Sequence, residues 1–164
     1  VGLGNIGRKV AEVARAFGCY VIACKRTPAP DIECVGLDEL CRRSDIISIH
    51  TPLTSQTRGM IGTECIKLMK SNVILYNAAR GAVTDERAVA EAVKSGRIGA
   101  FGCDVYSEEP FGKSHPMYEI KELPNVCLTP HMAWGSYVAR NRCLNEIIEN
   151  IRAFKSGVRR NAVV

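Results

Sequence analysis

The first seven residues constrain this chain more than any other stretch. Val1-Gly2-Leu3-Gly4-Asn5-Ile6-Gly7 is a G-x-G-x-x-G turn that runs into an apolar-periodic segment, with Ile6, Val10, Val13, Ala14 and Phe17 at helical spacing. A phosphate approaches backbone only where no Cβ intervenes, so Gly2 and Gly4 make a tight turn with room for a pyrophosphate. Gly7 lets the helix pack closely against its strand. The unsatisfied N–H groups and positive dipole end of that helix favour an anion. A second apolar run, Tyr20-Val21-Ile22-Ala23, follows Gly18 at the distance a βαβ unit requires. The stretch reads as a dinucleotide-binding opening.

Such a turn follows a buried parallel strand, yet the sequence starts at Val1 with neither that strand nor an initiator Met. The expectation is a piece of a longer chain whose upstream part supplies the first strand. A length of 164 residues suits one domain, with apolar and charged fractions ordinary for a globular protein. The net charge is +5, and apart from Lys25-Arg26 and Arg159-Arg160 the basic residues are scattered. A nucleic-acid partner would require a basic stripe, so none is expected. The eight cysteines contain no C-x-x-C pair, which argues against a metal site and a disulfide framework. Reduced thiols in apolar runs fit a cytoplasmic protein. No apolar run approaches the length of a membrane span, so no membrane partner is expected.

Apolar strands then alternate with amphipathic helices. After the Tyr20 strand come an extended piece around Cys34-Val35 and a helix from Leu37 to Arg43. Ile46 to His50 reads as the next buried strand, and Thr63 as the N-cap of a helix. Val73 to Asn77 is a strand, and Thr84 is expected to cap a helix that stops at Gly96. Ile98 to Val105 is a further strand. Residues 106–125 read as irregular and, being longer than an ordinary connection, as functional. Val126 to Leu128 is a last short strand, and Ser136 to Ser156 a long amphipathic helix. The alternation predicts an α/β fold, a doubly wound parallel sheet of Rossmann type with helices on both faces. Residues 1–135 are assigned to the nucleotide-binding domain and 136–164 to a C-terminal helix and tail.

Ligands of such sheets bind beyond the carboxyl ends of the strands. The polar residues there are Lys25-Arg26, His50, Asn77 to Arg80, Asp104 to Glu109 and His131. One Arg, one acid and one His on separate strand ends can together bind a carboxylate, donate a proton and tune the donor.

The ordered motifs around these residues narrow the reading. They are the glycine turn, His50-Thr51-Pro52-Leu53-Thr54, Thr57-Arg58-Gly59, Asn77-Ala78-Ala79-Arg80-Gly81 with Asp85-Glu86, Gly102-Cys103-Asp104-Val105 with Glu108-Glu109-Pro110, and Leu128-Thr129-Pro130-His131. In order and spacing they resemble the D-isomer-specific 2-hydroxyacid dehydrogenases over nearly the whole chain. The resemblance implies hydride transfer between a nicotinamide cofactor and a small 2-keto or D-2-hydroxy acid. It makes His131 the general acid, Glu109 the carboxylate that favours its protonated form, and Arg80 the cation on the substrate carboxylate. Glu108 competes for the acid role by chemistry, and its register relative to Pro110 disfavours it. Asp104 is assigned to the nicotinamide carboxamide with Ala78 beside it, and Asn5 and Ile6 to the pyrophosphate. His50, Pro52, Thr57, Arg80, His131 and Trp134 complete the expected cofactor contacts.

One departure from the NAD pattern stands out. Where an NAD-type site carries an acid for the ribose hydroxyls, this chain has Lys25-Arg26-Thr27. Two cations and a hydroxyl suit a 2′-phosphate, so NADP(H) is favoured over NAD(H). Met132-Ala133-Trp134 resembles the branch handling hydroxypyruvate and glyoxylate. The family's separate substrate domain is almost entirely absent from this sequence, so the fragment by itself is expected to be poorly active. A homodimer is also expected from the resemblance. The alternative is a dinucleotide-sensing corepressor-like protein on the same fold.

Overall fold

In a computed structural model that describes residues 1–163, every paired strand runs parallel. The chain divides into two compact units, Val1–Pro130 and His131–Val164. The first begins with α1 (Asn5–Ala16), β1 (Ile22–Ala23), β2 (Glu33–Cys34), α2 (Leu37–Arg43) and β3 (Ile46–Ile49). It continues with α3 (Thr63–Leu68), β4 (Ile74–Asn77), a 3-10 turn (Gly81–Val83), α4 (Glu86–Lys94), β5 (Ala100–Cys103), α5 (Pro116–Ile120) and β6 (Val126–Leu128). A parallel pair needs a long crossover, and α3 and α4 supply those between β3, β4 and β5.

Two sheets result, β1-β2 and β3-β4-β5-β6. Residues 1 and 2 lie between them as the end of one more strand. Val1 N donates to Ser48 O at 2.7 Å, His50 N to Val1 O at 2.7 Å, and Gly2 N to Cys24 O at 2.9 Å. The order across the molecule is therefore β2, β1, residues 1–2, β3, β4, β5, β6. This is the doubly wound order expected from the alternation of strands and helices.

The main core lies on one face of the larger sheet. Ile47 and Ile49, Leu75 and Phe101 point into it and meet Leu40 and Cys41 of α2, Cys65 and Ile66 of α3, and Val89, Ala90 and Val93 of α4. Each fully buried large aliphatic side chain there contributes roughly 1.5–3 kcal/mol. A smaller cluster of Leu3, Ala11, Ala23, Ala29 and Ile32 holds α1 and β1. The apolar run Ile46–His50 reads as a strand buried throughout, but burial alternates, and Ile46, Ile74 and Tyr76 on the opposite face are exposed.

Three helix starts differ from expectation, each for a local reason. Asp85, not Thr84, caps α4: its carboxylate accepts the Ala88 amide at 3.0 Å, while the Thr84 hydroxyl donates to Gly81 O. Thr63 is the first residue inside α3, whose cap is Gly62. The stretch read as irregular contains α5, started by His115 as cap and Pro116 in the first turn.

The second unit consists of residues 131–136, α6 (Tyr137–Lys155) and the tail. Ser136 caps α6 by accepting the Ala139 amide at 3.2 Å. Arg160 and Asn161 fold the tail onto the helix through Asn150 and Glu146. The apolar residues of this expected amphipathic helix include Val138, Ile147, Ile148, Ile151 and Phe154, and all of these are exposed.

Between β1 and β3, ahead of Val1, lies a cavity of about 490 Å³ lined by Val10, Ala14, Val21, Ile22, Ile46 and Ile47 among others. Its walls are formed by α1, β1 and β3.

Candidate functional site

The glycine turn is shaped by close backbone approach. Gly2 has φ +84°, and a Cβ on it would stand 2.8 Å from the carbonyl carbon and oxygen of His50. A Cβ on Gly7 would strike the Gly2 carbonyl. Around Gly4 the opposite holds, with no atom within 4 Å of the Cβ position. Gly4 is the N-cap of α1, no side chain caps it, and the first turn contains no acid. The N–H groups of that turn are thus available to an anion over an open surface. This cradle fits a dinucleotide pyrophosphate, with Asn5 and the exposed Ile6 at its rim.

The remaining candidates of the first unit follow from the strand register. Ile49, Asn77, Cys103 and Leu128 pair in one row across β3, β4, β5 and β6. Hence His50, Ala78, Asp104 and Thr129 stand one residue beyond that row, on the same edge. Val1 and Gly2 join this edge through the Val1 bonds to β3.

His50 is half-buried, with Nε2 2.8 Å from Ser48 Oγ. Burial lowers its pKa below the ordinary 6.5, which favours a neutral ring. In the following loop, the Thr57 hydroxyl donates to Pro52 O at 2.6 Å and accepts the Thr54 amide at 2.8 Å. Thr57 therefore ties that loop together. Beyond β1, Lys25 is half-buried and Arg26 and Thr27 are exposed. Among the described residues neither Lys25 nor Arg26 has an ion-pair partner. The nearest acid in sequence, Asp31, is held by Arg8 at 2.8 Å, and this bond keeps the Asp31 carboxyl below its usual range.

Asn77 shapes the turn that carries Arg80. Fully buried at the end of β4, it accepts the Ala79 amide at 3.0 Å and donates to Arg80 O at 3.1 Å. The Arg80 guanidinium is exposed and donates to its neighbour's carbonyl, Ala79 O, at 2.6 Å. Asp104 is 1% exposed; its amide donates to Asn77 O, and its carboxylate accepts the Thr129 hydroxyl at 2.5 Å. The Glu109 carboxylate accepts the Tyr106 amide at 2.8 Å, which folds residues 106–109 back on themselves. The Tyr106 hydroxyl lies within bonding distance of the Cys103 and Thr129 carbonyls. Burial pushes the Tyr106 phenol well above 10, so it remains protonated.

Within the first unit, then, the glycine turn, His50, Ala78, Arg80, Asp104 and Glu109 belong to one edge of the molecule. His131 and Trp134 fall in the second unit. There His131 has φ +50°, and the Trp134 indole N–H donates to the His131 carbonyl at 2.7 Å. The sequence marked Asn77 as polar at a strand end but did not reveal its turn-forming role. Thr129 was likewise missed as a partner of Asp104. A polar residue directly after an apolar strand was the available signal in both cases.

Residues 1–133 match a family described as D-isomer specific 2-hydroxyacid dehydrogenase, NAD binding domain. The chain is 38% identical over 163 residues to a glycerate dehydrogenase of Methylorubrum extorquens, covering 99% of this chain and 51% of that protein. It is 41% identical over 163 residues to a glyoxylate reductase of Aeropyrum pernix, covering 96% and 48%. The chain thus spans about half the length of the curated relatives it matches. Among solved structures, a D-isomer specific 2-hydroxyacid dehydrogenase of Lactobacillus delbrueckii ssp. bulgaricus in its NAD-complexed form superposes with a TM-score of 0.92. Its identity is 29%, and the match covers 99% of this chain and 54% of that one.

Because Asn77 makes both bonds that shape the Arg80 turn, Asn77→Ala should destabilise the protein by about 1–3 kcal/mol. Urea unfolding measures the loss, and an unchanged midpoint would show that the turn holds without it.

Proposed function

The chain belongs to the D-isomer-specific 2-hydroxyacid dehydrogenase family, and from that premise we propose that it is the cofactor-binding part of an oxidoreductase acting on small 2-keto or D-2-hydroxy acids. The observation that carries this reading is the single edge shared by the open glycine cradle, Arg80, Asp104 and Glu109. A bound nicotinamide dinucleotide would supply or accept the hydride.

The chain's own residues have distinct tasks. The first-turn amides of α1, with Asn5 and Ile6, hold the pyrophosphate. Asp104, oriented by Thr129, accepts the amide N–H of the nicotinamide carboxamide, with Ala78 alongside. His50, Pro52, Thr57 and Trp134 complete the cofactor's surroundings. Arg80, an exposed planar fork, binds the substrate carboxylate and polarises the neighbouring carbonyl. In reduction, the His131 imidazolium would give its proton to the carbonyl oxygen, and Glu109 would favour the charged imidazole beforehand. Oxidation returns that proton to the neutral ring.

Lys25, Arg26 and Thr27 are proposed to receive a 2′-phosphate, which makes NADP(H) the preferred cofactor. The two cations are not neutralised by any carboxylate among the described residues, and a dianionic phosphate would satisfy them. Hydroxypyruvate or glyoxylate is the proposed substrate, supported by the relatives named above and by Trp134 following His131. A homodimer is proposed as the working assembly, consistent with exposed apolar residues along α6.

Replacing His131 by Ala in the full-length protein should lower kcat by about 100- to 10,000-fold while cofactor fluorescence titration is unchanged. Turnover near the wild-type rate would remove His131 from the general-acid role. Arg26→Ala should raise KM for NADPH by about tenfold or more and leave that for NADH unaffected, given the worth of a charge-assisted bond. A wild-type enzyme that prefers NADH would refute the 2′-phosphate assignment.

A further inference from the structure

The buried Glu86 and His115 meet the exposed Ser107 in a polar cluster to which no role has been given so far. Glu86 is the first residue of α4, and its side chain is 9% exposed, that of His115 4%. The Glu86 carboxylate accepts the Ser107 amide at 2.8 Å, the Ser107 hydroxyl, and a contact from His115 Nε2 at 3.1 Å. The other ring nitrogen, Nδ1, accepts the Met117 amide at 3.2 Å. An accepting Nδ1 carries no proton, so the ring's N–H is on Nε2 and faces Glu86. Phe111 stacks on His115 at 5.1 Å and shields the cluster.

The trio resembles a nucleophilic triad in composition only. A triad places the acid on the ring nitrogen opposite the hydroxyl, whereas Glu86 and Ser107 here share Nε2. A carboxylate this well covered is costly unless its lone pairs are used, and Glu86 uses them to hold one short stretch of backbone.

That stretch is the peptide joining Tyr106 and Ser107. Glu86 grips it through Ser107, and the Tyr106 amide grips the Glu109 carboxylate at 2.8 Å. A Cβ on Gly81 would run into the Tyr106 carbonyl carbon and the Ser107 nitrogen, so the turn after Arg80 lies directly on the same peptide. Two consecutive peptides thus join the segments carrying Arg80 and Glu109: the one ending at the Ser107 N–H lies under the turn after Arg80 and is anchored by Glu86 with His115, and the one before it holds Glu109 through the Tyr106 N–H.

We propose that Glu86, acting through Ser107 and supported by His115, is a positioning residue that sets where the Glu109 carboxylate stands for the dehydrogenase reaction. The inference rests on the reading in which Glu109 tunes the His131 proton. Loss of the anchor frees the Tyr106 amide, and with it Glu109, and leaves the cofactor cradle, which lies on other elements, in place.

The test is kcat against pH, with NADPH fluorescence titration, for full-length Glu86→Gln, Ser107→Ala, Glu109→Gln and the Glu86→Gln/Glu109→Gln double variant. Glu86→Gln should lower kcat about tenfold to a hundredfold, the scale of a misplaced group, with cofactor affinity within about twofold of wild type. The alkaline fall of the reduction profile should move to lower pH, because a displaced Glu109 no longer favours the imidazolium. Ser107→Ala should move both in the same direction by less. In the Glu109→Gln background, Glu86→Gln should add nothing. Wild-type profiles for Glu86→Gln and Ser107→Ala beside an impaired Glu109→Gln would overturn the positioning role alone, as would independent, multiplying effects in the double variant. A normal Glu109→Gln profile would overturn the Glu109 reading and the positioning role with it. If Glu86→Gln does not fold, Ser107→Ala against Glu109→Gln decides by the same comparison.

Discussion

A parallel sheet held in register delivers all of its strand ends to one edge, and this molecule depends on that constraint. Ile49, Asn77, Cys103 and Leu128 stand in one row, so the residues immediately after them face a common space although they are distant in sequence. The backbone bonds of Val1 and Gly2 to Ser48, His50 and Cys24 bring the glycine turn to the same edge. A one-residue slip in any strand would reverse its inward and outward side chains and dissolve both the core and the row.

Past the strand ends, the backbone no longer has ladder partners, and polar side chains take over. Asn77 folds the Arg80 turn, Glu109 closes on the Tyr106 amide, and Glu86 carries Ser107. Asp85 and His115 start α4 and α5 in the same way. A buried amide or carbonyl without a partner costs about 1–3 kcal/mol, so these polar residues are as structural as the aliphatic core. Gly81 adds a steric condition, because only a residue without Cβ lets the Arg80 turn lie on the Tyr106–Ser107 peptide. The groups proposed to meet substrate are thus mounted on backbone that packed, hydrogen-bonded neighbours hold still.

Much of the fold was legible because it rests on local chemistry. Helical spacing identified α1 and α6, the apolar run Val126–Leu128 was the observed β6, and the limits of α2 at Leu37 and Arg43 were read directly. Positions that failed were those where two similar residues compete. Thr84 and Asp85 are both good caps, and only the path of the chain from Gly81 leaves Asp85 facing Ala88. The helix at Pro116–Ile120 was too short for periodicity to reveal, although His115-Pro116 had the form of a start signal.

The sequence by itself determined the alternation of strands and helices, the glycine turn, the ordered motifs of a dehydrogenase family and the cations where an acid is usual. Each is a property of neighbours along the chain: spacing, φ tolerance, charge. What only the tertiary structure decided is which distant groups share one peptide or one cavity. The contacts of Glu86 with Ser107 and His115, the seating of Gly81 on Tyr106, and the cavity between β1 and β3 are such cases. The reason is physical: a polar group's partner is set by where crossovers place backbone in space, and no periodicity in the sequence encodes that distance.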